Sequence, residues 1–501
     1  MTAPKLVAPI RTYEELEGGQ GREVFFRPHR YRAAELFPLR GEVQLPANGA
    51  DPASYVLHDV SQNGLAFEWP AGNTPFSMGE HLQEVVVRFD SYEAYRGEAR
   101  VGSVRDEGGV TIVGISFEGL LLPVDEVLHL RSIKQFIESR GSTLTPWRAP
   151  GHERFKVLVS ELQLYLEDGE QQLARLEADL PWHVLHSDGS AAPSPARLAL
   201  IEELRRGFVA DVVRAFENID QAARSAPASH LPALKEWARR HVQHFVMRSP
   251  VWYRAAQKPF GYPGDYELMR FIYERTFEGA NLFAKAISLV FVQSSAARAV
   301  WYRKELVKRR LRDLIDSRRK PLRILSIAAG AAQELYELVQ ELRDLPTQVE
   351  IVLFEQDKGA LAYAYRRLKP LVDAHWGAKA KVVYLHESIK RLLGDPELFT
   401  PFGRFDLIYC VGLFDYLRQT TAVQLARNLH ARLETGGCAL IANMVPENPD
   451  RWVMECHLDW QLIYRSHAEL LEIGERAAPA AKRRILEEES GVNPFVEICR
   501  E

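Results

Sequence analysis

Between residues 40 and 117 apolar and polar side chains alternate in six short runs, at 41–45, 54–60, 64–68, 84–89, 95–104 and 110–117. Turn residues separate them, as in Pro46-Ala47-Asn48-Gly49, Pro70-Ala71-Gly72-Asn73 and Asp106-Glu107-Gly108-Gly109. Several short strands at this spacing predict a small antiparallel β-barrel, followed by a helix over 120–139. From 140 to 319 the period lengthens: Leu158, Leu162, Tyr165 and Leu166 share one helical face, and Leu198, Ile201, Leu204, Phe208, Val212, Val213 and Phe216 share another. Further helices are predicted over 231–247, 266–277, 282–292 and 296–316, with a loop at 187–195. Beyond 319 strands and helices alternate, beginning with the apolar run Leu322-Arg323-Ile324-Leu325-Ser326-Ile327. The predicted fold class is therefore multidomain α and β. It comprises a flexible arm over 1–20, a β-barrel over 21–140, a helical linker and cap over 141–318, and an α/β Rossmann-like domain over 319–501.

Composition narrows the partners. The 501 residues carry 63 basic and 67 acidic side chains, a net charge of −4, so no global field draws in a nucleic-acid polymer or an anionic membrane. No apolar run approaches the ~20 residues of a membrane span, and residues 1–10 lack a signal-sequence pattern. The four cysteines, Cys410, Cys438, Cys456 and Cys499, have no metal-like spacing, which predicts reduced thiols in a cytoplasmic protein.

The first βαβ unit of the third segment carries the clearest candidate chemistry. Its opening strand ends in Ala328-Ala329-Gly330-Ala331-Ala332, small residues that allow a tight turn and close approach of a ligand. Its second strand ends in Glu355, about 20 to 25 residues further on, where a ribose diol is gripped in nucleotide-binding folds. Small residues after a strand also serve helix-on-sheet packing. The later order of strand, Val411-Gly412-Leu413-Phe414-Asp415-Tyr416-Leu417, helix, Gly436-Gly437 turn and strand resembles class I S-adenosylmethionine-dependent methyltransferases over residues 319–501. The resemblance implies S-adenosylmethionine as cofactor, with contacts from Ser326, Ala328, Gly330, Glu355, Gln356, Glu387, Ser388 and Gly412. Ser326, Ala328 and Ala332 stand where that family most often has Asp, Gly and Gly.

A second mark lies in the helical segment. Lys258-Pro259-Phe260-Gly261-Tyr262-Pro263-Gly264-Asp265-Tyr266 is a stiff loop before a helix, suited to holding side chains over a site, although Asp265 would also serve as a helix cap. With Asp459-Trp460-Gln461-Leu462-Ile463-Tyr464-Arg465 and Gly491-Val492-Asn493-Pro494-Phe495, it resembles bacterial methyltransferases assigned to making 3-hydroxypalmitic acid methyl ester. That likeness spans 158–500. It implies O-methylation of a carboxylate on a hydroxy fatty acid or similar small molecule, with Tyr262 as a candidate catalytic residue and Tyr266 and Asp265 over the cofactor. An ionised carboxylate needs no general base; Arg465 and His457 are the candidates for holding it.

On the barrel, Asp59-Val60-Ser61-Gln62-Asn63-Gly64 and the lead-in Arg27-Pro28-His29-Arg30-Tyr31-Arg32, expected to be strand-free, resemble the PilZ family. This implies cyclic di-GMP as a regulatory ligand, held by Arg27, Arg30, Arg32, Asp59, Ser61 and Gly64. Guanidinium forks suit phosphates and guanine faces. The arginine spacing departs from the family's R-x-x-x-R by one residue either way. The overall expectation is a cyclic di-GMP-responsive methyltransferase. The alternative is a cyclic di-GMP receptor whose methyltransferase half is an inactive scaffold.

Overall fold

The computed structural model describes residues 30–47, 50–70, 76–107, 110–139, 152–186, 194–318 and 320–501. Arg27 and the expected arm over 1–20 lie outside these residues, as do parts of the expected turns at 46–49, 70–73 and 106–109 and of the loop at 187–195. The described residues form two compact units, one up to residue 139 and one from residue 152.

In the first unit the strands are β1 (Tyr31–Arg32), β2 (Gly41–Ala47), β3 (Ala50–Ser61), β4 (Gly64–Trp69), β5 (His81–Phe89), β6 (Tyr92–Glu107) and β7 (Val110–Glu118). Six of them close antiparallel in the order β2-β3-β4-β7-β6-β5, with β5 returning to β2. Closure removes exposed sheet edges. Val43, Leu57, Phe67, Val87, Val101 and Ile115 fill the interior, which α1 (Val124–Ser139) caps through Val124 and Val127. One expectation is corrected. Residues 31 and 32 are not strand-free, because β1 pairs with β3 (Tyr31↔Val60, Arg32↔Asp59) and the Tyr31 ring packs on the barrel core.

The second unit begins with α2 (Glu153–Asp179), α3 (Trp182–Leu185), α4 (Pro195–Leu204), α5 (Ala210–Arg224), α6 (Leu231–Val246), α7 (Pro250–Gln257), α8 (Tyr266–Tyr273), α9 (Leu282–Gln293) and α10 (Ser295–Ser317). The single helix expected over the stripe from Leu198 to Phe216 is broken, since Gly207 takes φ −95°, ψ −105° between α4 and α5. The helix expected over 266–277 stops at Tyr273, before a left-handed Arg275.

The sheet follows: β8 (Leu322–Ile327), α11 (Gln333–Glu341), β9 (Val349–Glu355), α12 (Lys358–His375), β10 (Ala380–His386), α13 (Ile389–Gly394), β11 (Phe405–Cys410), α14 (Gln419–Ala431), β12 (Leu433–Ala442), α15 (Arg451–His457), α16 (His467–Ala477), β13 (Lys482–Leu486) and β14 (Phe495–Cys499). Its order is β10-β9-β8-β11-β12-β14-β13. The first five strands run parallel and β14 runs antiparallel to its neighbours. Counted within the sheet this is 3-2-1-4-5-7-6. α10, α11 and α12 cover one face; α13, α14 and α16 cover the other. The helix expected over 451–464 stops at His457, and left-handed Asp459 turns the chain into an extended run. Cys438 and Cys499 lie directly opposite in β12 and β14, Cα atoms 4.1 Å apart, and form a disulfide. That overturns the expectation of four reduced thiols; Cys410 and Cys456 are buried thiols.

Candidate functional site

In parallel α/β sheets ligands bind across the carboxyl ends of the strands, where the strand order reverses. Here that point lies between β8 and β11. The turn after β8 winds through left-handed φ at Ala328 (+54°), Gly330 (+54°) and Ala332 (+48°). Alanine therefore adopts the glycine-like backbone at two positions, at a cost of about 1 kcal/mol or more each. A methyl group built on Gly330 would meet nothing within 4 Å, so the space over the turn is open.

Glu355 ties this turn to β9. One carboxylate oxygen accepts from Gly330 N–H (2.8 Å), and the other accepts from Gln356 N–H (2.8 Å) and Asp357 N–H (2.9 Å). Burial raises its pKa, and these three donors oppose the rise. Gln356 is engaged through its carbonyl, 3.0 Å from His386 Nε2. Ser326 faces inward, its hydroxyl bonded to Tyr409, which donates to Glu334 (2.7 Å). Its assignment as a cofactor contact is thereby corrected: it is buried inside the sheet.

The Gly/Pro loop before α8 lies across this edge. Tyr262 donates to Asp357 Oδ2 (3.0 Å), while Asp357 Oδ1 caps α12 at Gly359 N–H (2.7 Å). The Tyr262 hydroxyl is held protonated by burial and by the nearby charges of Glu355 and Asp357. Tyr266 stacks on Phe260 (centroids 5.6 Å apart), with its hydroxyl 3.5 Å from where a Gly359 Cβ would stand. At the loop's other end Gly264, φ +71°, leaves only 3.0 Å between a would-be Cβ and the Trp460 ring. Trp460 Nε1 donates to the Tyr416 hydroxyl (2.9 Å). The loop therefore bridges from the end of β9 to the segment after β11. Asp265 takes no part at the mouth: it caps α8 at Leu268 N–H (2.9 Å) and pairs with Arg254 (2.9 Å), which corrects its assignment to the cofactor.

Beyond β11 the sequence missed the main cation. Arg303 of α10 is 6 % exposed, and its guanidinium lies against Gly412, with Nη2 3.1 Å from where a Cβ would stand. It bonds the Tyr273 hydroxyl and acts electrostatically on Asp415 and Cys410. Gly412 thus serves the approach of Arg303 in this structure. A signal was present: Arg303 and Lys304 fall at the i+3 and i+4 positions between buried Val300 and Val307, where a helical stripe calls for apolar residues.

Arg465 and His457 are buried with their polar atoms engaged elsewhere, and both assignments are corrected. Arg465 is 1 % exposed and spends its donors on Gln419 Oε1 (2.8 Å), Phe414 O (2.8 Å), Asn443 Oδ1 (2.6 Å) and Leu417 O. His457 is buried beside α6, 2.6 Å from Gln243 Oε1, with its pKa pushed down to about 3 by desolvation. At the end of β10, Ser388 caps α13 at Arg391 N–H (3.2 Å), and Glu387 pairs with the Arg391 side chain (2.5 Å).

On the barrel, Asp59 gathers basic side chains: it pairs with Arg30, lies 3.2 Å from His58 Nδ1 and 4.0 Å from Arg105. Arg32 sits opposite Asp59 in the β1–β3 register. Ser61 Oγ donates to Gly64 O (3.0 Å), closing the turn, and a Cβ on Gly64 would fall 2.2 Å from Ile115 O.

A 3-2-1-4-5-7-6 sheet with an antiparallel seventh strand, covered on both faces by helices, is a Rossmann-like α/β fold of the kind expected for residues 319–501. No family model matches the chain, and no curated protein matches it. Among solved structures the chain is similar to a possible exported protein from Bordetella parapertussis (TM-score 0.40, 17 % identity, 62 % of this chain and 99 % of that one). It is also similar to magnesium protoporphyrin IX methyltransferase from Synechocystis with bound SAH (TM-score 0.33, 11 % identity, 50 % and 98 %). A TehB-like SAM-dependent methyltransferase from Corynebacterium glutamicum scores lower (TM-score 0.25, 15 % identity, 41 % and 98 %). Likeness at this level does not bear on activity, which has to be read from the residues.

Proposed function

We propose that the second unit is an S-adenosylmethionine-dependent methyltransferase acting on a carboxylate of a fatty-acid-like small molecule. One observation carries the cofactor reading: Glu355, bonded to Gly330 N–H, stands beside open space over that turn, under a loop anchored at Asp357 by Tyr262. The residues fit the group. Glu355 Oε2, which accepts only from Gly330 N–H, keeps capacity to accept from a ribose hydroxyl, while Oε1 is filled by Gln356 and Asp357 N–H, and Gly330 leaves room for the methionine end. When bound, the sulfonium cofactor would supply an electrophilic methyl that a carboxylate oxygen could accept, the C–S electron pair staying with sulfur, with no proton to be removed. The protein's share is to exclude water and to fix the line of approach. The loop from Tyr262 to Tyr266, Trp460 and Tyr416 supplies the apolar cover.

Equilibrium binding of S-adenosylhomocysteine tests this. The wild type should bind, and Glu355→Ala should bind about tenfold to a hundredfold more weakly, the scale of hydrogen bonds to a charged group. Absence of binding to both would favour an inactive scaffold. Methyl-labelled cofactor offered with 3-hydroxy fatty acids then tests the acceptor class.

For the barrel we infer a cyclic di-GMP sensor that regulates methyl transfer. The support is the Asp59–Ser61–Gly64 turn, with Arg30 paired to Asp59 and Arg32 in register beside it. Calorimetric titration with cyclic di-GMP should show binding that Arg30→Ala and Asp59→Ala weaken. No binding to the wild type would remove the sensor, and unchanged methyl transfer at saturating dinucleotide would remove the regulation.

A further inference from the structure

Arg303 has an unusual set of neighbours for a buried arginine. Its side chain is removed from water, yet it forms no ion pair among the described residues, and its Nε has no hydrogen-bond partner. Taking a guanidinium out of water costs several kcal/mol unless an opposite charge and hydrogen-bond acceptors compensate. What surrounds it falls short. The Tyr273 hydroxyl gives one acceptor, and Asp415 acts only through its field. That carboxylate is shared: its Oδ1 is spent on Met444 N–H (2.8 Å), and it lies also in the field of Arg465, whose own donors go to uncharged oxygens.

The position matters as much as the charge. Gly412 lies two residues past the end of β11, on the side of the switch point away from Glu355, and a Cβ there would stand 3.1 Å from Arg303 Nη2 and press the guanidinium back. Tyr416, which pairs with Trp460 under the loop, also lies in the field of Arg303. An anionic group entering beneath that loop would meet a guanidinium with a donor to spare.

We propose that Arg303 is the residue that binds the methyl acceptor, and that it does so by grasping the acceptor's carboxylate, with Tyr273 fixing the orientation of the guanidinium. This rests on the methyltransferase reading of the same site. It replaces Arg465 and His457 in that role, and it explains why the acceptor is an acid: an amine would be repelled by the buried cation, and an alcohol would leave its charge uncompensated.

The test uses the full chain loaded with S-adenosylhomocysteine and titrated with 3-hydroxydecanoate, octanoate and benzoate, each beside its matched alcohol. At least one carboxylate should bind where its alcohol does not. Arg303→Gln should weaken that binding by about tenfold to a hundredfold, as expected for a charge-assisted contact. Arg303→Lys should fall between, and both variants should keep cofactor-product affinity. Binding of S-adenosylhomocysteine without any carboxylate, or equal carboxylate affinity in Arg303→Gln, would overturn the assignment while leaving the cofactor site intact. Failure of S-adenosylhomocysteine itself to bind would remove both. Should Arg303→Gln not fold, the wild-type panel and Arg303→Lys decide alone.

Discussion

Arg465 offers the sharpest separation between a residue that binds and one that braces. Its side chain joins four oxygens contributed by three segments: Phe414 and Leu417 carbonyls after β11, Gln419 at the start of α14, and Asn443 at the end of β12. Arg465→Met keeps much of the volume and deletes every donor. Each buried acceptor left alone costs about 1–3 kcal/mol, but the Phe414 carbonyl keeps a second donor in Leu417 N–H, so the penalties do not sum. Removing one member of a buried charged network typically costs about 3–5 kcal/mol, and Asp415 would also lose a compensating charge. Against a stability of about 5–15 kcal/mol for a domain, that brings the unit close to unfolding. Urea denaturation followed by tryptophan fluorescence is a suitable assay, because Trp182, Trp237, Trp252, Trp301, Trp376, Trp452 and Trp460 all belong to the second unit. With a slope of about 3 kcal/mol/M the midpoint should fall by about 1–1.7 M. If Arg465→Met matched the wild type within ~1 kcal/mol and lost only acceptor affinity, the bracing role would be wrong.

Other perturbations separate local strain from function. Replacing the half-buried Ala328 by glycine relieves a left-handed alanine, and after the extra unfolded-state entropy it should stabilise by about 0.5–1 kcal/mol, seen as a higher urea midpoint; destabilisation would refute the strain. His457 is buried neutral with its pKa near 3, below the ordinary 6.5, so the unfolded chain binds the extra proton as pH falls. The stability present above about pH 6.5 should drop by about 2 kcal/mol by pH 5; His457→Gln should flatten that slope in denaturation curves, and an unchanged slope would place the acid sensitivity elsewhere. Gly64→Ala should destabilise the barrel by about 3 kcal/mol or more, since its Cβ meets backbone at Ile115, and circular dichroism melting of the variant would show it.

Elements with strong periodicity were legible from the residues. The six barrel runs and the βα alternation beyond 319 each have one face or both faces buried, so the pattern of apolar side chains records their packing. β13 was not legible, because Lys482-Arg483-Arg484 is an edge strand whose charge masks its pairing. Glu355 and Gly330 could be placed by spacing along one βαβ unit. Arg303, Asp357 and the Trp460–Tyr416 pair could not, since their roles depend on contacts between segments far apart in sequence. Arg465 misled for the same reason: an arginine near a predicted pocket gives no sign of how many carbonyls surround it.

The inactive-scaffold reading can be weighed on energy. Two alanines in left-handed φ cost about 1 kcal/mol or more each, yet the turn over which a nucleotide would lie is still formed. Nearby, a buried carboxylate at Glu355 and a buried guanidinium at Arg303 make no ion pair among the described residues, although apolar residues of similar size would make such a core more stable. A scaffold needs only the packing and would gain from those replacements. A site that must meet ribose hydroxyls on one side and an anion on the other needs the two charges where they stand, and the loop from Tyr262 to Gly264 runs between Asp357 and Trp460. Departures from good packing gathered at one sheet edge are the expected mark of a working site.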